Sequence, residues 1–305
     1  MSSAPSPPGR PYACIDVGSN TTRLLVAEER EGRLSELLAR RVFTRIGASA
    51  SRLRRIPPDK LSETVEVVAI LADLARRLGA REIAVVATAA VREAPNGADL
   101  AAAMERRARV PVRVLSWREE AELAFSGATR TLAHPLEGEV AVVDVGGGSS
   151  EIAVGTLRDG VGWAGSVRVG SGVLADAYLR SDPPAAAELE GARAHATAAF
   201  VGLDVPPVAH AVGVGGSASS LRRVAGVELD ATGMERAIAM LAGAPRAQVA
   251  RRFGLDPERV RLLPAGVLIL EAVSCCLGRR VVMGAGGVRE GVIFELADRH
   301  RTGDG

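Results

Sequence analysis

Three short glycine-rich segments carry the residue types and spacing that point most directly to chemistry. Each follows an apolar run, and they read Gly-Ser-Asn-Thr at 18–21, Gly-Gly-Gly-Ser at 146–149 and Gly-Gly-Ser at 215–217. Glycine lets the backbone approach a ligand without a Cβ clash, so the N–H groups of such turns can converge on a phosphate. One such turn alone is better explained as a tight turn, but three of similar composition indicate phosphate binding. The predicted ligands are Gly18, Ser19, Asn20, Thr21, Gly146, Gly147, Gly148, Ser149, Gly215, Gly216 and Ser217, with Asn20 and Ser149 as side-chain donors.

Acidic residues lie beside two of these turns. Asp16 and Asp144 precede the first and second turns, and Glu151 follows the second. A carboxylate in that position would repel a bare phosphate unless a divalent cation lay between them, and Mg²⁺ prefers oxygen ligands. We therefore predict Mg²⁺ as the cofactor, with Asp144 and Glu151 as ligands and Asp16 nearby. The alternative for Asp144 is capping or pairing within its own turn.

Two other phosphate-binding patterns fit less well. A dinucleotide site expects G-x-G-x-x-G opening a helix, with an acid about 20 residues further on. Here the acids at 16 and 144 precede the glycines. A Walker A pattern is absent from the sequence, and its only lysine, Lys60, is not in a glycine segment.

The two segments that begin with an acid repeat each other in register. Asp144 follows Asp16 by 128 residues (144 − 16), and the same offset matches Gly18 with Gly146 and Thr22 with Ser150. Both segments contain an apolar strand, an acid, a glycine turn and a returning apolar strand, which is the pattern of a β-hairpin. A repeat of this length is too long for a solenoid unit and indicates two domains of related fold.

The remaining elements alternate between strands and helices, which favours α/β architecture. Apolar spacing predicts a helix over 59–79, a strand over 82–87 and helices over 99–109 and 118–131. The most apolar stretch, 262–277, contains Glu271 and is predicted to be a buried helix. Residues 1–11 are rich in Pro and Ser and are predicted to be a disordered tail without a signal sequence.

Several blocks together resemble the exopolyphosphatase/guanosine pentaphosphate phosphohydrolase (Ppx/GppA) family. DVGSNTTRLL and VDVGGGSSE are similar to its two phosphate motifs, and the other blocks occur in the family's order. The similarity spans residues 13–295. The matching segments are 16–25, 88–97 (TAAVREAPNG), 119–127 (EEAELAFSG), 143–151, 213–217 and 289–291 (REG).

The resemblance implies an α/β fold of two actin-like (ASKHA, ribonuclease H-like) domains that face each other across a phosphate-binding cleft. It assigns 12–124 plus 289–302 to domain I and 125–288 to domain II. It also implies metal-assisted attack of water on a terminal phosphoryl group. The family's general base falls on Glu120, although Glu119 is hard to separate from it because both open a helix, where carboxylates are common. Arg92 is expected to neutralise phosphoryl oxygens, the alternative being a salt bridge with Glu93.

Composition limits the partners. The formal net charge is +2 and aromatic residues make up 3%, so neither nucleic acid nor a membrane is predicted as a partner. Three cysteines without metal-ligand spacing fit a reducing cytoplasm, and a homodimer is left open. An arginine run is a candidate basic patch, with a solvated face as the equally good alternative; its members are Arg40, Arg41, Arg45, Arg52, Arg54 and Arg55.

Inorganic polyphosphate is the predicted substrate because it needs only a cationic groove. Guanosine pentaphosphate is the alternative, although few aromatic residues are available to hold a base. A kinase of the same superfamily and a non-catalytic alarmone- or polyphosphate-binding protein are further alternatives. Because the chain ends soon after the block at 289–291, we expect short polyphosphate chains to be preferred.

Overall fold

The computed structural model describes residues 10–47 and 54–303, so most of the predicted tail and Arg52 of the arginine run lie outside the described residues. Strand and helix assignments agree closely with the spacing of apolar residues in the first half. The elements there are β1 (Tyr12–Val17), β2 (Thr22–Arg30), β3 (Arg33–Val42), α1 (Pro58–Arg77), β4 (Glu82–Ala87), α2 (Ala89–Arg92), α3 (Gly97–Ala108), β5 (Val112–Val114) and α4 (Trp117–Arg130).

The second half begins with another hairpin and is richer in helices. It ends with a helix that packs on β1 and β2 of the first half. Its elements are β6 (Val140–Val145), β7 (Ser150–Thr156), β8 (Gly160–Val167), α5 (Ser171–Tyr178), α6 (Ala186–Ala199), β9 (His210–Val214), α7 (Gly215–Ala225), β10 (Glu228–Leu229), α8 (Ala231–Ala242), α9 (Arg246–Phe253), α10 (Pro257–Leu277), β11 (Val281–Met283) and α11 (Val288–Gly303).

The strands form two mixed sheets that share one arrangement. The strand order is β3-β2-β1-β4-β5 in the first sheet and β10-β11-β9-β6-β7-β8 in the second. β1 pairs antiparallel with β2 and parallel with β4, just as β6 pairs with β7 and with β9. In each sheet the parallel neighbour is reached through a longer connection, as parallel pairing requires.

The offset read from the sequence holds beyond the hairpins. Tyr12 lies opposite Glu82, and Val140 lies opposite His210, so both crossovers return to the same register. Even the irregularities repeat, because register shifts follow Val26 in the first sheet and Val154 in the second. The structure thus contains two copies of one strand unit, 128 residues apart (154 − 26).

The two halves share part of their core through α4 and α11. One hydrophobic cluster contains Cys14 of β1, Ala124 of α4, Val142 of β6 and Ile293 of α11. The predicted domain boundary at 124/125 falls inside α4, and the division of the chain into two domains stays a prediction.

Helix α10 is the only helix in the described ranges that could cross a membrane by length and composition, with a mean hydropathy of 1.9. Of that apolar stretch, 67% is buried inside the protein. It packs against α5, α6, α8 and α9. The predicted buried helix is therefore confirmed, although it begins at Pro257 and includes Pro264.

Candidate active site

A cleft between the two sheets collects all three glycine turns. It opens where β1, β6 and β9 end, so the acids and glycines at those strand ends face one another. The residues predicted from the sequence that line it are Glu120, Gly18, Ser19, Asn20, Thr21, Gly146, Gly147, Gly148, Ser149, Gly215, Gly216, Asp144 and Asp16. Placement in the cleft does not by itself assign roles, which remain predictions.

The first two turns are matched in their hydrogen bonds. Gly18 N donates to Thr21 O, and Gly146 N donates to Ser149 O, each at 3.0 Å. The second turn is further fixed from outside by the start of α5. Ser171 N donates to Gly146 O at 2.9 Å, and the carbonyl of Gly147 accepts from two further amides of α5. Because the C=O and N–H of a trans peptide point in opposite directions, the N–H groups of Gly147 and Gly148 point away from α5.

Two carboxylates, Asp16 and Asp144, face the cleft from opposite sheets. The pKa of Asp144 is raised to about 6, first because the carboxyl is desolvated and then because Asp16 repels it. Burial also raises the pKa of Asp16, with Arg23 acting in the opposite direction. Gly215 has φ +84, and a Cβ there would collide with Asp144 Oδ1, so the third turn passes directly beside this carboxylate.

Glu151 lies behind the cleft wall, next to Asp144. The two residues are directly opposed on β6 and β7. Glu151 is 1% exposed, and burial followed by repulsion from Asp144 raises its pKa, while the nearby Ser149 and the hydrogen bond from Ser166 lower it. Ser149 itself lines the cleft, and its role as a side-chain donor to phosphate stays a prediction.

Glu120 also belongs to the site and is held by Arg92. Arg92 Nη1 donates to Glu120 Oε2 at 3.0 Å and to Leu115 O at 2.7 Å. Glu120 is 7% exposed; burial and the nearby Glu151 raise its pKa well above the ordinary value, and the bond from Arg92 opposes this. Arg92 does not line the cleft itself but reaches it through Glu120. Arg92 does not form the alternative salt bridge with Glu93. Glu93 pairs instead with Arg168 of the other half at 2.6 Å.

Ser217 is the predicted ligand that the structure does not bring to the cleft lining. Its side chain is fully buried and lies against Gly266 of α10. Among the described residues its hydroxyl has no hydrogen-bond partner. Ser217 lies inside the first turn of α7 with its side chain against α10, and its role as a phosphate ligand stays a prediction.

Sequence reasoning missed an arginine cluster at the same cleft. Arg23, Arg259 and Arg289 line it, and burial together with the neighbouring Arg23 and Arg41 lowers the pKa of Arg259. Arg259 is 3% exposed, and within residues 10–47 and 54–303 its Nη2 has no hydrogen-bond partner. The cluster can therefore donate hydrogen bonds to anionic oxygens.

The signals for the cluster were faint. Arg23 occupies the position that corresponds to Glu151 in the second hairpin, and Arg289 belongs to the family block at 289–291. Arg259 stands beside a long apolar run, where an arginine needs an explanation. Of the predicted basic run, Arg41 lies near enough to Arg259 to help lower its pKa, after burial and Arg23. Arg45 instead pairs with Glu258 at 2.7 Å.

The two sheets differ in charge at equivalent positions across their neighbouring strands. In the first sheet Asp16, Arg23 and Arg41 lie side by side across β1, β2 and β3. In the second, Asp144 and Glu151 occupy the first two equivalent places. One wall of the cleft is thus suited to anions, and the other to a cation.

The acidic wall fits a divalent cation held mainly by water and substrate. Glu151 Oε2 is buried and, among the parts of the chain the structure describes, lacks a hydrogen-bond partner. No group of three His, Cys, Asp or Glu side chains in the described residues is arranged to hold a metal ion. Mg²⁺ commonly takes one or two carboxylates and completes its shell with waters and phosphate oxygens. Asp144 and Glu151, with Asp16 opposite, are the carboxylates that would hold such an ion, and Mg²⁺ stays a prediction.

Comparisons with known proteins show which family and which proteins the chain is similar to. Residues 25–300 match the sequence model of the Ppx/GppA phosphatase family. Exopolyphosphatase 1 of Mycobacterium tuberculosis is 26% identical over 312 residues, covering 95% of this chain and 89% of that protein. Exopolyphosphatase 1 of Mycobacterium leprae is 26% identical over 309 residues, with coverage of 95% and 90%.

Solved structures agree with the architecture. A Ppx/GppA family member from Aquifex aeolicus superposes with a TM-score of 0.78 at 25% identity, covering 95% of this chain and 98% of that one. An exopolyphosphatase from Cytophaga hutchinsonii has a TM-score of 0.83 at 18% identity, again with 95% and 98% coverage, and supports the fold alone. The predicted actin-like α/β fold with two sheets around a cleft is confirmed.

Proposed function

The chain belongs to the Ppx/GppA phosphatase family, and on that premise we propose that it releases the terminal phosphate of inorganic polyphosphate by attack of water. The observation that carries the proposal is the buried Glu120, held by Arg92 at a cleft that also contains the three glycine turns. A buried carboxylate beside a phosphate cradle is suited to accept a proton from water. The proposal extends to this chain the activity named for its mycobacterial relatives.

Binding of the terminal phosphoryl group falls to the glycine turns. In the second segment, α5 holds the carbonyls of Gly146 and Gly147, so the N–H groups of Gly147 and Gly148 point away from α5. Fixed donors of this kind need no reorganisation when charge develops on the phosphoryl oxygens. Arg23, Arg259 and Arg289 extend the anion-binding surface towards the following phosphates.

Proton removal from water is assigned to Glu120. Burial and the nearby Glu151 raise the pKa of Glu120, and the hydrogen bond from Arg92 fixes the carboxylate and favours the ionised form that can act as a base. Arg92 itself does not line the cleft and acts on the site through Glu120, so its contact with a phosphoryl oxygen stays a prediction. When bound, Mg²⁺ at Asp144 and Glu151 would supply charge neutralisation at those oxygens.

The arginine cluster supports a polyanionic substrate. A chain of phosphates needs several cationic groups in sequence and no base-stacking platform. No aromatic side chain lines the described cleft, whereas three arginines do. This composition favours inorganic polyphosphate over a nucleotide.

Phosphate release from a substrate panel tests the proposal. Short polyphosphate, long polyphosphate, guanosine pentaphosphate and ATP with a phosphoryl acceptor should be compared with and without Mg²⁺. We expect Mg²⁺-dependent release of phosphate without an acceptor, with the highest kcat/KM for short polyphosphate. A preference for guanosine pentaphosphate of more than about tenfold, equivalent to about 1.4 kcal/mol, would reverse the substrate assignment. Tight binding without turnover would replace the hydrolase by a binding protein.

A further inference from the structure

Three polar side chains stand in a row across the second sheet. Asp144 on β6 lies opposite Glu151 on β7, and Glu151 lies opposite Ser166 on β8. Directly opposed residues of antiparallel strands project from the same face, so the three side chains are neighbours. Ser166 therefore contacts the middle member of the row from the side away from Asp144.

The two oxygens of Glu151 have different surroundings. Ser166 Oγ donates to Glu151 Oε1 at 3.0 Å. Oε2 is buried and finds no hydrogen-bond partner among the residues that the structure describes. A hydroxyl that holds one carboxylate oxygen fixes the side-chain torsions, and so determines where the other oxygen points.

We infer that Ser166 is a positioning residue for the proposed reaction, which holds Glu151 so that Oε2 is presented to a divalent cation beside Asp144. The inference rests on the proposed function, which gives Glu151 its part in the site. Ser166 acts through Glu151, because it does not line the cleft.

The strand end that carries Ser166 is itself anchored on both sides. Ser150 Oγ donates to Val169 O at 2.6 Å, which ties the residues after β8 to β7. Arg168 Nη2 donates to Glu93 Oε2 at 2.6 Å, which links the same segment to the first half of the chain. These bonds restrain the strand end that carries Ser166, so its hydroxyl can fix the orientation of the Glu151 carboxylate.

Direct binding of Mn²⁺, followed by electron paramagnetic resonance of the free ion, tests the inference without turnover. Removal of a hydrogen-bond partner of a metal ligand typically weakens metal binding by about 10–100-fold. We expect a loss in that range for Ser166→Ala. Ser166→Thr keeps the hydroxyl and should bind Mn²⁺ nearly as tightly as the unaltered chain.

Ser150→Ala is the matched control. It removes a buried hydroxyl from the same pair of strands, but that hydroxyl bonds Val169 O and not Glu151. We expect a lower melting temperature with Mn²⁺ affinity unchanged. Equal loss of Mn²⁺ binding in Ser150→Ala and Ser166→Ala would overturn the inference, because it would mean that Ser166 only stabilises the strand pair. Unchanged binding in Ser166→Ala would overturn it as well.

Kinetics separate this inference from the proposed function. Ser166→Ala should raise the Mg²⁺ concentration that gives half-maximal phosphate release, with little change in substrate KM at saturating Mg²⁺. An unaltered chain that releases phosphate but binds no Mn²⁺ would refute the positioning role and leave the hydrolase intact. A protein whose Mn²⁺ binding depends on Ser166 and Glu151 but which releases no phosphate would refute the hydrolase alone.

Discussion

Glu119 and Glu120 are consecutive in the chain, yet only Glu120 faces the cleft. Glu119 closes a capping box at the start of α4, accepting from Ser116 N at 2.8 Å, and pairs with Arg113 on the surface at 2.8 Å. Hydrogen bonds from Ser116 are the main reason that its pKa falls to about 2. Glu120, one position further round the helix, is buried beside Arg92. A helix turns about 100° per residue, so one neighbour can cap the helix while the other reaches the site.

Exchange of these two glutamates for glutamine tests the general base. Glu120→Gln should lower kcat by about 10²–10⁴-fold, because the amide cannot accept the proton from water. Glu119→Gln is the matched control and should leave kcat unchanged, while its weaker cap costs about 1 kcal/mol of unfolding free energy at most. Steady-state phosphate release and urea unfolding measure both effects. If Glu119→Gln loses the activity and Glu120→Gln keeps it, the base has been assigned to the wrong residue.

Removal of the Asp144 carboxylate tests the proposed cation site. Asp144→Asn should raise the Mg²⁺ concentration needed for activity much more than the substrate KM, because the carboxylate is proposed to contact the ion and not the phosphate. The activity should be titrated with Mg²⁺ at saturating substrate. Asp159→Asn is the control, since Asp159 lies in an exposed turn with a side chain that is 75% exposed. A crystal structure with Mg²⁺ and phosphate but no ion near Asp144 would contradict the assignment.

The stability of the metal-free protein should depend on pH through the same residue. The pKa of Asp144 is raised from 3.8 to about 6, so the folded protein binds this proton more tightly than the unfolded chain does. Its contribution to the free energy of unfolding is therefore fully present below pH 4 and is lost as the pH rises through 6. Asp144→Asn should remove this part of the decrease in the free energy of unfolding with rising pH. Urea unfolding in EDTA between pH 4 and pH 8 measures it, and identical pH profiles for both proteins would contradict it.

Contact between the two glycine turns gives a steric test. A Cβ on Gly148 would lie 2.7 Å from Ser19 Oγ, so Gly148→Ala must displace the Ser19 hydroxyl, a predicted phosphate donor. Since the turns are proposed to bind one phosphoryl group together, we expect kcat/KM to fall by about tenfold or more, or about 1.4 kcal/mol. Gly162→Ala is the control, because a Cβ there meets no atom of the described chain within 4 Å. Equal activity of the two variants would show that the turns need not keep this contact.

The strands, their turns and their repetition were determined by the sequence itself. The strand over 82–87, the hairpins at 12–30 and 140–156 and the offset between Asp16 and Asp144 all appear in the structure as read from the residues. These features are local, because a strand's apolar pattern and a turn's glycines lie within a few residues of each other. They were enough to predict α/β architecture with two related halves, while the actin-like fold was implied by the family resemblance, and the third glycine segment opens α7.

The direction of individual side chains was decided by tertiary structure. Adjacent residues such as Glu119 and Glu120 have the same type and the same local propensity, and only the packing of α4 separates them. Ser217 shares its segment with two cleft glycines but points into the core, whereas Arg259 reaches the cleft from a helix far along the chain. Ser166 meets Glu151 only because β8 pairs with β7 in one register. The sequence contains these residue types, but long-range packing and strand register determine which of them meet.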